Sequence, residues 1–162
     1  MARKIFSWVA VILWMLVIFG FSAQSADSSD TLSMGLSEKI VEFILSLRDI
    51  PVFSALDGDA VSNFILNANH YVRKTAHFMI FAVLGLLVNN LLLSYGNERV
   101  KSCFFAVLIC FLYAVSDEVH QYFVPGRACR LKDVIIDTCG ASAAVCLAYL
   151  TYRIRRRYIH TK

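Results

Sequence analysis

The chain has 162 residues, 58% of them hydrophobic and 17% charged, with a mean hydropathy of +0.60. A soluble domain of this size has no core large enough to hide that much apolar surface, which excludes an ordinary water-soluble fold and makes lipid part of the solvent. The net charge of +4 is concentrated near the termini, in Arg3 and Lys4 and in Arg153, Arg155, Arg156, Arg157 and Lys162; with no aromatic interleaving and no nucleic-acid motif, these clusters read as topology signals facing anionic lipid headgroups, not nucleic acid.

A hydrocarbon slab about 30 Å thick takes roughly 20 apolar residues per spanning helix. The first such run covers 5–22, contains Trp8 and Trp14, and follows Arg3 and Lys4. A cleaved signal peptide is the competing reading, because a basic start, an apolar stretch and small residues from Ala23 to Ala26 are also what a signal peptidase reads. The run is longer than the usual signal core, which favours a retained span.

Residues 23–73 form a polar loop rich in Ser, Asp and Asn, with two apolar stripes: Leu36, Ile40, Phe43, Ile44 and Leu47, then Val61, Phe64, Ile65, Ala68 and Val72. Their i, i+3, i+4, i+7 spacing predicts one or two amphipathic helices lying in the membrane interface. Pro51 and Asp57-Gly58-Asp59 separate them, and either aspartate suits the cap of the second.

Further spans are predicted at 76–94, 103–120 and 134–152, giving an all-α, four-helix transmembrane bundle in a single domain over 1–162. The short turn between the second and third spans carries Glu98, Arg99 and Lys101. With both termini in the cytoplasm, this turn is inside as well, as the positive-inside rule expects. Of the five cysteines, Cys103, Cys110, Cys139 and Cys146 fall in apolar runs and read as small packing residues; Cys129 alone sits in a loop placed outside.

This topology gathers polar residues at one face of the membrane. Ser22 and Gln24 end the first span; Arg73, Lys74 and His77 begin the second; Asp117, Glu118, His120 and Gln121 close the third; Arg127, Arg130, Lys132, Asp133 and Asp137 lead into the fourth. Residues three and four apart share a helix face, so Asp117, His120 and Gln121 align, with Glu118 turned away, and Arg73, Lys74 and His77 align on the second span. On the fourth, Asp133 and Asp137 lead into Gly140, Ala141 and Ala144, a small-residue strip that permits close packing and points Asp137 into the bundle.

A carboxylate within the hydrocarbon costs about 2.5–3.5 kcal/mol on insertion scales, so Asp137, and Asp117 if it lies as deep, need partners such as Arg127, His77 or Lys74. A purely structural set of ion pairs is the competing reading. The Pro125-Gly126-Arg127 element reads as a turn that sets Arg127 beside the membrane, either to bind phosphate or carboxylate or to anchor the fourth span.

At these residues the sequence resembles the VanZ-like family. The segments that carry the resemblance are Phe21-Ser22-Ala23-Gln24; Arg73-Lys74 with Ala76-His77-Phe78 and Leu84-Gly85; Asp117-Glu118 with His120-Gln121 and Phe123-Val124-Pro125-Gly126-Arg127; and Lys132-Asp133-Val134 with Asp137 and Gly140-Ala141. Phe81 stands where an aromatic hydroxyl is expected, and Ala144 near where a second glycine often follows Gly140. The resemblance implies a bacterial cytoplasmic-membrane protein, some of whose relatives are associated with teicoplanin resistance, and it implies no established reaction.

The leading functional expectation is binding, at the outer membrane face, of the polar or anionic headgroup of an envelope lipid, a lipid-linked wall precursor or a glycopeptide. Ser22, Gln24, Arg73, Lys74, Gln121, Arg127, Asp133 and Asp137 are the binding candidates. A catalytic version adds His77 or His120 as acid or base with Asp117 or Glu118 as partner, since imidazole exchanges protons near neutral pH. Whether there is catalysis stays open, and no cofactor is expected. The alternatives are a zinc or manganese site built from His77, Asp117 or Glu118, and His120, although no HExxH signature supports it, and a purely structural membrane protein. A transporter is disfavoured by four short spans without internal duplication. The oligomeric state is not readable from the sequence.

Overall fold

The computed structural model describes residues 1–25, 28, 31, 34, 35, 39, 43 and 58–160, with side chains in the second long stretch from 68 to 158. Four long helices carry it: α1 (Ala2–Ser22), α2 (Gly58–Ser94), α3 (Arg99–Tyr122) and α4 (Leu131–His160), with no strand among the described residues. Each contains a segment long and apolar enough to cross a membrane: Ala2–Ser22, Ala68–Ser94, Arg99–Tyr122 and Leu131–Tyr158. In hydrocarbon every backbone N–H and C=O must be satisfied within the protein, and a helix does this within its own segment.

The expected second interfacial helix is corrected by the fold. Residues 58–94 form one unbroken helix of 37 residues, so the segment holding the second apolar stripe is continuous with the span and not a separate element. Nothing from Asp59 to Leu84 breaks a helix, since the stretch holds neither Pro nor Gly. At roughly 1.5 Å per residue, α2 exceeds the hydrocarbon thickness by a wide margin. Most of the first stripe, Leu36 to Leu47, lies outside the described residues.

The turns follow their residues. Gly96, at φ +83°, ends α2, with its N–H bonded to the Leu93 carbonyl at 3.1 Å. Between α3 and α4, the Arg127 N–H donates to the Val124 carbonyl at 3.1 Å across Pro125 and Gly126, and Gly126 takes φ +76°. Proline at the second and a positive-φ glycine at the third position make this a type II turn.

The core joins Phe81, Leu84 and Val88 of α2, Ala106, Cys110 and Ala114 of α3, Ala141 and Val145 of α4, and Val11 and Ile18 of α1. α4 packs along α2 and α3, whereas α1 lies mainly against α2 and only lightly on α3. The α2–α4 approach is the closest kind two helices can make. A methyl group at Gly140 would collide with the Phe78 carbonyl, and one at Gly85 would come within 3.0 Å of the Ala141 backbone. Small residues permit this approach, and in lipid dense packing is what holds helices together. Large apolar side chains such as Phe6, Leu13, Phe104, Leu112 and Leu147 are exposed, as a lipid-facing surface requires.

Candidate functional site

The antiparallel order brings the C-terminal ends of α1 and α3 together with the N-terminal end of α4 and the Asn69–His77 stretch of α2. In the protein interior at this end, Ser22 Oγ donates to Asp117 Oδ2 at 2.7 Å, and Gln121 Nε2 donates to the same carboxylate oxygen at 2.9 Å. Gln121 Nε2 also approaches Ser22 Oγ at 3.3 Å. All three residues are buried. Asp117 thus finds neutral donors, not the cation expected for a buried carboxylate, because α1 ends beside it and the hydroxyl arrives first.

Glu118 faces the other way. It is buried, and its Oε2 accepts the Arg130 backbone N–H at 2.7 Å, tying the α3 end to the start of α4. Lys74 Nζ meets Asp133 Oδ1 at 2.7 Å across the α2–α4 seam, with side-chain exposures of 27% and 24%. One turn deeper, His77 Nδ1 lies 3.4 Å from Asp137 Oδ1. That separation is long for a hydrogen bond. Asp137 is fully buried, and neither carboxylate oxygen has a hydrogen-bonding partner.

Above these groups opens a cleft of about 330 Å³. Arg73, Lys74, His77, Gln121, Arg127 and Asp133 line it, joined by Asn69, His70 and Arg130. Among the described residues, four cations therefore face one carboxylate. Arg127 Nη2 also reaches the Phe21 carbonyl at 3.4 Å, which ties the loop to the end of α1.

Not every expected residue joins. His120 does not line the cleft; its ring stacks on Phe19, centroids 4.3 Å apart. Gln24 continues the chain beyond α1, its backbone N–H bonded to the Phe21 carbonyl at 3.3 Å, and it does not line the cleft. Ser22, Asp117, Glu118 and Asp137 lie in the protein interior and not on the cleft wall. A polar loop read over 23–73 leaves Asn69 and His70 out of the second span, and the cleft wall includes both. Their spacing carried the signal: Asn69, Arg73 and His77, with His70 and Lys74, follow i, i+4 steps along one face.

The expected metal alternative is not assembled: among the described residues no three His, Cys, Asp or Glu side chains form a group able to hold a metal ion.

A family model described as VanZ/LLP1 matches residues 6–152. The chain belongs to the VanZ-like family. The match covers nearly all of the four spanning segments and the whole polar end, so this end is part of the VanZ-like unit and not an appendage to it. No curated protein and no solved structure matches the chain significantly.

Proposed function

We propose that this VanZ-like protein binds the anionic headgroup of an envelope amphiphile in the cleft at the polar end of the bundle, on the outer face of a bacterial cytoplasmic membrane. The observation that carries this reading is the cleft wall itself, where, among the described residues, Arg73, Lys74, Arg127 and Arg130 stand against the carboxylate of Asp133. Arginine recognises phosphate and carboxylate through paired N–H donors, and in a partly dehydrated cleft such bonds are stronger than in water. Asp117, Glu118, Ser22 and Gln121 form the buried frame that holds the wall in register.

The outward orientation rests on the basic residues at the other end, Arg3, Lys4, Arg99, Lys101 and the arginines from 153 to 157, which the positive-inside rule assigns to the cytoplasm. A second reading, proton exchange with the bound molecule, is favoured by one observation: His77 lines the cleft and has Asp137 directly behind it. A carboxylate in that position orients an imidazole and stabilises its protonated form.

The test is a titration of the purified protein, in nanodiscs of zwitterionic lipid, with three probes: an anionic phospholipid, a polyprenyl-phosphate-linked wall precursor and teicoplanin. One probe is expected to bind, and Arg127→Ala and Arg73→Ala each to weaken it about tenfold or more, the loss expected for a charge-assisted hydrogen bond. Unchanged binding in both variants would overturn the proposal.

A further inference from the structure

At the opposite end of the bundle, the last turns of α4 stand beside the α2–α3 turn and enclose a second cleft of about 1340 Å³. Arg99, Arg153, Arg156 and Arg157 line it, and Glu98, the one carboxylate on its wall among the described residues, faces Lys101 at 3.2 Å. The guanidinium of Arg99 lies over the Tyr152 ring, 3.6 Å from its centroid, and Arg153 Nη1 donates to the Tyr149 hydroxyl at 3.0 Å. Stacking holds the flat face of a guanidinium and leaves its N–H edges directed elsewhere.

Beside this cleft runs an apolar groove of about 270 Å³ between α3 and α4, lined only by Val100, Cys103, Cys146, Tyr149 and Leu150. Val100 and Tyr149 belong to both walls, so the basic cleft and the apolar groove adjoin. A water-soluble phosphate compound has no use for the groove, and a neutral lipid has none for the arginines. A molecule with a phosphate at one end and a hydrocarbon chain at the other matches both.

We infer that this composite surface is a second binding site, for a phosphate-bearing anionic lipid whose headgroup sits among Arg99, Arg153 and Arg156 and whose acyl chain lies in the groove. Basic pockets between spanning helices hold anionic headgroups in this way. The site is separate from the cleft at the polar end and does not depend on it.

Native mass spectrometry of the full chain, with phosphatidylglycerol, phosphatidylcholine and soluble glycerol phosphate as probes, tests this. The protein is expected to retain phosphatidylglycerol at least about tenfold over phosphatidylcholine, and the Arg153→Ala/Arg156→Ala double variant to lose that preference. Cys146→Trp, at an exposed position, fills the groove without changing charge and is expected to lower retention as well. Arg155→Ala, off the cleft wall, is expected to retain the lipid as the unaltered chain does. Absence of a headgroup preference, an equal loss in Arg155→Ala, or full retention in Cys146→Trp with glycerol phosphate binding as tightly would overturn the inference.

Discussion

Ser22, on the last turn of α1, donates its hydroxyl proton to Asp117, near the end of α3, across 2.7 Å of protein interior. This bond fastens a lightly packed contact in the bundle, that between α1 and α3, at the level of the cleft. It also converts a buried carboxylate, costly in lipid, into part of a hydrogen-bonded frame.

Ser22→Ala is therefore expected to destabilise the protein by about 1.5–3 kcal/mol, the range for a hydrogen bond to a charged group. Gln121→Leu should have a similar effect, and the two together less than the sum, because both donors serve the same Asp117 oxygen. Reversible denaturation in mixed micelles measures all three. Full additivity would contradict the shared frame.

Lys74 and Asp133 divide structure from binding. The pair is partly exposed, so screening limits its stabilising contribution to about 1 kcal/mol or less. The exchanged variant Lys74→Asp/Asp133→Lys should keep the unaltered stability, since the ion pair is re-formed. Its ligand affinity should fall, because the cation moves from the α2 wall to the α4 wall. Denaturation and ligand titration of the same preparation separate the two effects.

Asp137 is expected to show the opposite balance. Its carboxylate is fully buried without a hydrogen-bonding partner, and His77 Nδ1 stands 3.4 Å away. Asp137→Asn removes the charge and keeps the shape, so the variant should be at least as stable as the unaltered protein while binding its ligand more weakly. A marked loss of stability would return Asp137 to a purely structural role.

Gly140→Ala should force α2 and α4 apart, because the added methyl collides with the Phe78 carbonyl. A loss of about 1–3 kcal/mol is expected from such overpacking. Gly20→Ala, where nothing lies within 4 Å, supplies the comparison and should not destabilise.

Orientation is testable with one native thiol. With the other cysteines replaced, exposed Cys129 should react with an impermeant maleimide in intact cells. Asn97→Cys in the chain lacking Cys129 should react only after permeabilisation. The reverse pattern would move the cleft to the cytoplasmic side.

The four helices were legible because lipid leaves a spanning chain so few choices: long apolar runs with basic ends can be little else. The helices begin before the spans predicted from hydropathy, at 58, 99 and 131 against 76, 103 and 134, because polar residues at helix ends lower hydropathy without interrupting backbone bonding. That same offset hides Asn69 and His70 and divides α2 from the segment preceding it. Helical periodicity places Asp117 with Gln121 and Arg73 with His77, but it does not reveal that Ser22, and not a cation, meets Asp117 Oδ2. Partners across helices depend on how deeply each helix sits against its neighbour. The stacking of His120 on Phe19 is a similar case, decided by a ring from α1 that no spacing within α3 encodes.

The central claim is that the cleft at the polar end holds an anionic headgroup, and photocrosslinking tests it most directly. A photoreactive amino acid at Ala128, exposed on the cleft wall, would be compared in cells with one at Leu147, exposed on the apolar surface of α4. Mass spectrometry of the adducts should show a molecule with a phosphate or carboxylate headgroup enriched at 128 and not at 147, with the enrichment abolished by Arg127→Ala. Adducts at both positions in the same proportions as the bulk membrane would contradict the account.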